Sequence, residues 1–345
     1  MNAFAPMLLP LIVLLSCVAV PVAFMRMLTP SLAHGRHVLN YRGREVYAGL
    51  GIVWVIWAGC AIVCGVATAA VDDTTALVAL TLLGPLALVA SSLGLIDDAY
   101  GTGADKGFRG HFRALARGRV TTGMLKLLGI GVASLVVAAI LGQVAPWRAG
   151  VSGVGQLAVI LVAAAAIALT ANLVNLTDLR PGRALKVYTL LAVLGSALVL
   201  AATVSGTGLG ASSSTLAVLS ALSLLLAMLG PVFAVWRFDL GEHGMLGDAG
   251  ANAMGAVAGA VIVLGAPLWA LALYAAAMLT LNIASEKVSF SAVIERTGWL
   301  HRIDGLGRLA ETGPTPESHE SSATSTSDVV DSRYHLEDDH DAQEV

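Results

Sequence analysis

The sequence predicts an all-α fold, a polytopic integral membrane helical bundle, on three observations. Mean hydropathy is +0.79, with 57% hydrophobic and 12% charged residues, far from the balance of a soluble chain. Apolar runs of membrane-crossing length recur without the polarity alternation of a transmembrane barrel. Ala, Gly, Val and Leu dominate, and small residues let membrane helices approach closely.

Nine spans are expected, over residues 5–26, 47–70, 76–96, 122–142, 154–174, 187–205, 214–236, 249–265 and 267–284. Each is near the ~20 residues a bilayer needs. No basic stretch precedes the first run, and its first positive charge, Arg26, follows it. That suits a retained helix rather than a cleaved signal peptide. The last two spans are short and separated by Gly265-Ala266-Pro267, so a helical hairpin is expected there. Cys17, Cys60 and Cys64 lie inside apolar runs at no metal-ligand spacing and read as small packing residues.

Charge sets the orientation. Segments 26–46, 97–126, 175–186, 237–248 and 285–310 hold eighteen of the nineteen Lys and Arg before residue 311; the alternate loops hold only Arg148. The positive-inside rule makes the basic set cytoplasmic, with the N-terminus outside and the C-terminus inside. Residues 1–310 form the membrane domain. Residues 311–345 carry ten acids against one base, Arg333, and read as a disordered acidic cytoplasmic tail. Without the tail, nineteen bases face thirteen acids, a net of +6 hidden beneath the overall −3.

Against that basic body, four aspartates stand at the cytoplasmic mouths of apolar spans: Asp97 and Asp98 in GLIDDAYG, Asp178 in NLVNLTD and Asp248 in MLGDAG. A carboxylate near hydrocarbon is costly and marks a functional site by default. Adjacent carboxylates repel, so Asp97 and Asp98 both stay charged only beside a cation. A hard cation such as Mg²⁺ binds through one or two carboxylates plus substrate phosphates. Gly101 would let the chain turn sharply off the helix. Asp72-Asp73 is a similar pair on the outer side with no supporting motif, and reads as a solvated loop.

The loop after Asp98 carries Lys106, Arg109, His111, Arg113, Arg117 and Arg119, and Lys126 lies inside the next span. Topology alone favours a basic cytoplasmic loop, which also suits an anionic headgroup. Asn172, Asn175 and Asp178, spaced by three, fall on nearly one helix face. The alternative is that they join helices by hydrogen bonds. Arg180, Arg183 and Lys186 follow as phosphate-binding candidates. In GEHGMLGDAGANAMG, glycine-rich sequence precedes a helix start suited to anions, where Asp248 could serve as an N-cap.

These motifs resemble those of the polyprenyl-phosphate N-acetylhexosamine-1-phosphate transferases, which include the phospho-N-acetylmuramoyl-pentapeptide transferases of peptidoglycan synthesis. DDAYG is similar to their DDxxG, NLVNLTD to NxxNxxD, and MLGDAG to (F)MGDxGS, in order over most of residues 1–310. The resemblance implies a Mg²⁺-dependent enzyme of the bacterial plasma membrane. A prenyl-phosphate oxygen would attack the β-phosphorus of a UDP-sugar, releasing UMP. By motif, Asp97 would face the lipid phosphate, with Asp98 and Asp248 as metal ligands. Asn175 and Asp178 would face the donor, so the catalytic set is Asp97, Asp98, Asp178 and Asp248. Lys106, Lys126, Asn172, Asn175, Arg180, Arg183 and His301 would bind substrate. The implied partners are the polyprenyl phosphate, the UDP-sugar and the membrane, without nucleic acid; a homodimer is compatible with them.

The pattern is divergent. Leu179-Arg180-Pro181-Gly182 replaces GLDG, putting Pro181 where the family has a second Asp. Met245 replaces the aromatic of FMGD, Phe238 an Asn, and Ala251 the Ser after GDxG. His301 is the one histidine in the last cytoplasmic loop, and a tenth span is missing. The changes fall mainly on the nucleotide and sugar side. The contrasting expectation is a paralogue without transfer activity, acting as a lipid-phosphate-binding scaffold or transporter.

Overall fold

The computed structural model describes residues 11–70, 76–101, 107–207 and 214–309. Asp72-Asp73, Lys106 and the acidic tail lie outside the described residues. Nine helices among the described residues are long and apolar enough to cross a membrane. They are α1 (Leu11–Ala33), α2 (Leu50–Ala69), α3 (Leu77–Tyr100), α5 (Thr122–Leu141), α6 (Val154–Thr177), α7 (Arg183–Val204), α8 (Ser214–Leu240), α9 (Gly247–Gly265) and α10 (Leu268–Ser285). Three shorter helices, α4 (Gly107–Ala116), α11 (Phe290–Arg296) and α12 (Gly298–Gly305), lie on connections at the aspartate end of the bundle. The chain is thus an all-α polytopic membrane protein.

α9 is the hub. Every residue from Ala249 to Gly265 is buried, and α3, α6 and α7 pack around it. In a bilayer there is no water to drive apolar helices together, so close packing must hold the bundle. Alanine and glycine make up most of α9 and permit that approach. At Gly94 on α3, an added Cβ would lie 2.5 Å from the carbonyl carbon of Asp248, so only glycine lets α3 reach the start of α9. Buried aromatics add directional links. Trp57 Nε1 donates to the Ala227 carbonyl (2.6 Å), the Tyr188 hydroxyl to Met228 O (2.8 Å) and Trp147 Nε1 to Val263 O (3.0 Å). Large side chains such as Leu15, Leu128, Val132, Leu157 and Leu273 point outward, where hydrocarbon would meet them. Cys17 and Cys64 are buried with their sulfurs 3.7 Å apart, the packing role expected of them.

Several helices run further than hydropathy alone suggests. α3 continues to Tyr100, so Asp97 and Asp98 sit in its last turn rather than after it. α7 begins at Arg183, placing Arg183 and Lys186 in its first turn. Polar residues at a span end leave the helical hydrogen bonds intact, so hydropathy stops before the helix does. Gly101 has φ −64° and ψ 124°, which any residue can adopt. Its lack of a side chain is needed for space, since a Cβ would lie 2.5 Å from Asp97 O.

A small three-stranded sheet, β1 (His37–Leu39), β2 (Glu45–Ala48) and β3 (Gly244–Met245), was not anticipated. β1 and β2 form an antiparallel hairpin, and β2 pairs in parallel with β3, Tyr47 opposite Gly244. Asn40 closes the hairpin, its Oδ1 accepting from Arg42 N (2.8 Å) and Arg44 N (3.0 Å), an Asx turn. The hairpin arginines then hold Glu242, with Arg42 to Glu242 at 3.0 Å and Arg44 at 3.5 Å. The first connection is thereby tied to the chain just before Asp248.

α12 is latched to α7. Arg183 is 4% exposed and meets Asp304 through Nε and one terminal nitrogen, each at 2.9 Å, while its other terminal nitrogen donates to Ser291 Oγ (2.8 Å). Arg308 adds a third contact to Asp304 at 2.7 Å. Burial by itself would raise the Asp304 pKa, but the hydrogen bonds from Arg183 and the charges of Arg308 and Arg183 outweigh it, holding it below the usual carboxylate range. A depressed folded pKa stabilises above the unfolded value of about 3.9 and stops doing so as pH falls through the folded value. Asp304→Asn leaves a buried guanidinium uncompensated, a loss of about 3 kcal/mol. Thermal unfolding in detergent should show that loss at pH 7, and acidification below about pH 4 should narrow the gap between variant and native protein. Equal melting temperatures at pH 7 would contradict the latch.

Candidate active site at the aspartate end of the bundle

α3, α5 and α9 bring three carboxylates and one ammonium together. Asp97, in the last turn of α3, accepts from the Thr122 hydroxyl and from Lys126 Nζ, each at 2.6 Å. Lys126, one turn into α5, also forms an ion pair with Asp248 in the first turn of α9. One cation therefore bridges two carboxylates that would otherwise repel. The Lys126 side chain is 14% exposed, so both pairs lie in a poorly screened setting.

Asp98 has another task. Its two carboxylate oxygens accept from the backbone N–H groups of Asp248 and Ala249, both at 3.1 Å. It thus caps α9 from a neighbouring helix, where the positive end of the helix dipole favours a carboxylate. Gly247 makes room for it: φ is +66°, and a Cβ would lie 2.7 Å from Asp98 Oδ2. Arg36 donates to the Asp98 carbonyl at 2.5 Å. Asp98 and Asp248 are the pair expected as metal ligands; the structure joins Asp97 to Asp248 and engages Asp98 as the cap. Asp248 does not cap its own helix, whose N-cap is Leu246 without a side-chain bond.

The donor-side residues divide. Asn172 and Asn175 line a cavity of about 210 Å³ together with Lys126, Asn252 and Glu286. Asn172 also donates to Asn282 Oδ1 on α10 (2.6 Å), the helix-joining role weighed for it. Asp178 follows the end of α6 and lines a second, smaller cleft with Tyr41, Arg180, Asp239 and Met245. Burial, then the charges of Asp239, Asp248 and Asp98, push the Asp178 pKa well above the usual carboxylate range, with the Gly247 N–H opposing. Arg180 stacks over the Tyr41 ring at 4.1 Å and pairs with Glu295 at 2.6 Å. Arg183, expected to bind substrate, is engaged in the Asp304 latch, and Lys186 donates to Asp304 O (2.6 Å). His301 is exposed on α12.

Asp239 escaped the sequence analysis. It is 4% exposed in the last turn of α8, and its carboxylate accepts from Gly182 N at 2.6 Å. The signal was an acid at the end of an apolar run, the pattern that singled out the other four.

Hard oxygen donors suit Mg²⁺, and the place between Asp97 and Asp248 already holds a positive charge, that of Lys126. Among the described residues no three His, Cys, Asp or Glu side chains form a ready-made metal cage. A divalent cation held by two carboxylates and completed by substrate phosphates fits this donor set. Compared with known proteins, the chain matches no family model and no curated sequence.

Proposed function

We propose that the protein transfers a sugar-1-phosphate of the N-acetylhexosamine type from a UDP-sugar to a polyprenyl phosphate in the bacterial plasma membrane, for cell-envelope polymer synthesis. The observation that carries this reading is the Asp97–Lys126–Asp248 cluster, set in an α-helical membrane bundle beside a cavity of about 210 Å³. Asp97 and Asp248 lie in motifs that resemble those of the transferase family, and Lys126 resembles one of its phosphate-binding lysines. The divergence on the nucleotide side argues for a donor other than the pentapeptide nucleotide.

In this reading a prenyl-phosphate oxygen attacks the β-phosphorus of the donor. The bond from that phosphorus to the bridging oxygen breaks, and UMP leaves. Asp97 and Asp248 would hold Mg²⁺ together with the substrate phosphates, and the ion would neutralise charge on the diphosphate. Asp97 orients the attacking phosphate and takes its proton when it arrives protonated. Lys126 moves from the carboxylates to the phosphate oxygens. Asp98 keeps the start of α9 in place, and Asn175 and Asp178 face the donor. Incubating the purified protein with polyprenyl phosphate and a panel of nucleotide-sugars tests this: a prenyl-diphosphate sugar should form with at least one donor.

One observation favours the non-enzymatic reading, a lipid-phosphate-binding scaffold or transporter. Arg180 and Arg183, suited to bind a donor, are paired with Glu295 and Asp304. The same panel separates the two, because a scaffold binds lipid and releases no UMP.

The reading also requires the aspartate end to face the cytoplasm. With an impermeant thiol reagent on intact cells, Arg117→Cys should stay unlabelled and Ala149→Cys should react. Both positions are exposed and belong to opposite sets of loops. The reverse pattern would contradict the orientation.

A further inference from the structure

A third cavity lies between α1 and α8, beside Tyr47 of the hairpin sheet. Its volume is about 440 Å³, and it is walled by Val22 and Phe233 and rimmed by Arg26, Arg237 and His243, with Tyr47 at its inner side. None of these residues takes part in the aspartate cluster.

The charge around this cavity is unbalanced. Among the described residues no ion pair engages Arg26 or Arg237, the two guanidinium groups that border this cavity. Glu242, the acid next to His243, is held by Arg42 and Arg44. Tyr47 is 5% exposed, and its hydroxyl lies beside that of Thr29. The Thr29 hydroxyl donates its own proton to Met25 O (2.6 Å). Arg26 lies two turns inside the end of α1, and Arg237 one turn inside the end of α8. A guanidinium at that depth carries its charge to the headgroup level while its stem lies along apolar surface.

We infer that this cavity binds the phosphodiester headgroup of an anionic phospholipid, with an acyl chain along Val22 and Phe233. Two arginines can grip phosphate oxygens through charge-assisted, bidentate bonds. The apolar wall beside them suits a lipid better than a free anion. The site lies apart from the transfer cluster, so it stands whether or not the transferase reading does.

The test uses the full-length protein in detergent, titrated with phosphatidylglycerol and phosphatidylcholine and followed by native mass spectrometry. Phosphatidylglycerol should bind at one saturable site at least tenfold more tightly than phosphatidylcholine. The double variant Arg26→Gln/Arg237→Gln should lose about tenfold or more of that affinity, given what each interfacial charge contributes. Arg26→Lys/Arg237→Lys keeps both charges and should retain most of it. Arg296→Gln/Arg302→Gln, exposed basic positions outside the cavity, should bind as the native protein does. Equal binding of the two lipids, an unchanged glutamine variant, or displacement of the lipid by equimolar inorganic phosphate would each overturn the inference.

Discussion

Asp248→Asn and Asp97→Asn are each expected to abolish sugar-phosphate transfer, lowering turnover by at least about 10³-fold. Both changes keep the shape of the side chain and remove an anionic oxygen that faces Lys126. A positioned base contributes about 10²–10⁴-fold, and losing a metal ligand can cost more. Asp248→Asn should also weaken Mg²⁺ binding, read as a higher Mg²⁺ concentration at half-maximal rate. Asp73→Asn, in the opposite set of loops, should leave the rate unchanged. Near-native turnover in both variants would show that the cluster is not the reaction centre.

Lys126→Met should produce the second-largest effect, on stability as well as turnover. Its ammonium neutralises two carboxylates that have little access to water. Without it, Asp97 and Asp248 meet as like charges, at a cost of about 3 kcal/mol. A divalent cation occupying the same place would reverse that cost. Mg²⁺ should therefore raise the melting temperature of Lys126→Met by more than that of the native protein. If the variant melts like the native protein, with or without Mg²⁺, the two carboxylates do not form one cation site.

The nine spans were legible because hydropathy over about 20 residues is a local, additive signal. The aspartates were legible for the complementary reason: an acid at the edge of an apolar run stands out against it. The hairpin at 37–48 escaped because its strands are three and four residues long and interrupted by charge. Val38, Val46 and Tyr47 flanking a turn at Asn40 and Gly43 were the available signal. The roles of Asp98 and Arg183 depend on partners far along the chain, the α9 start 150 residues on and Asp304 121 residues on. Motif spacing locates a carboxylate or an arginine, but it cannot say whether a helix start or an ion pair has already claimed it. Asp239 was missed because the apolar run was ended at residue 236, while α8 continues to Leu240.

The proposed reaction is Mg²⁺-dependent phosphoryl transfer to a lipid at the aspartate end of this bundle. Release of UMP from a panel of UDP-N-acetylhexosamines, measured with the purified full-length protein and polyprenyl phosphate, addresses it most directly. UMP release should need both the lipid and Mg²⁺, cease on chelation, and be matched mole for mole by a prenyl-diphosphate sugar. Saturable binding of polyprenyl phosphate without UMP release from any donor would contradict it and leave a lipid-binding scaffold.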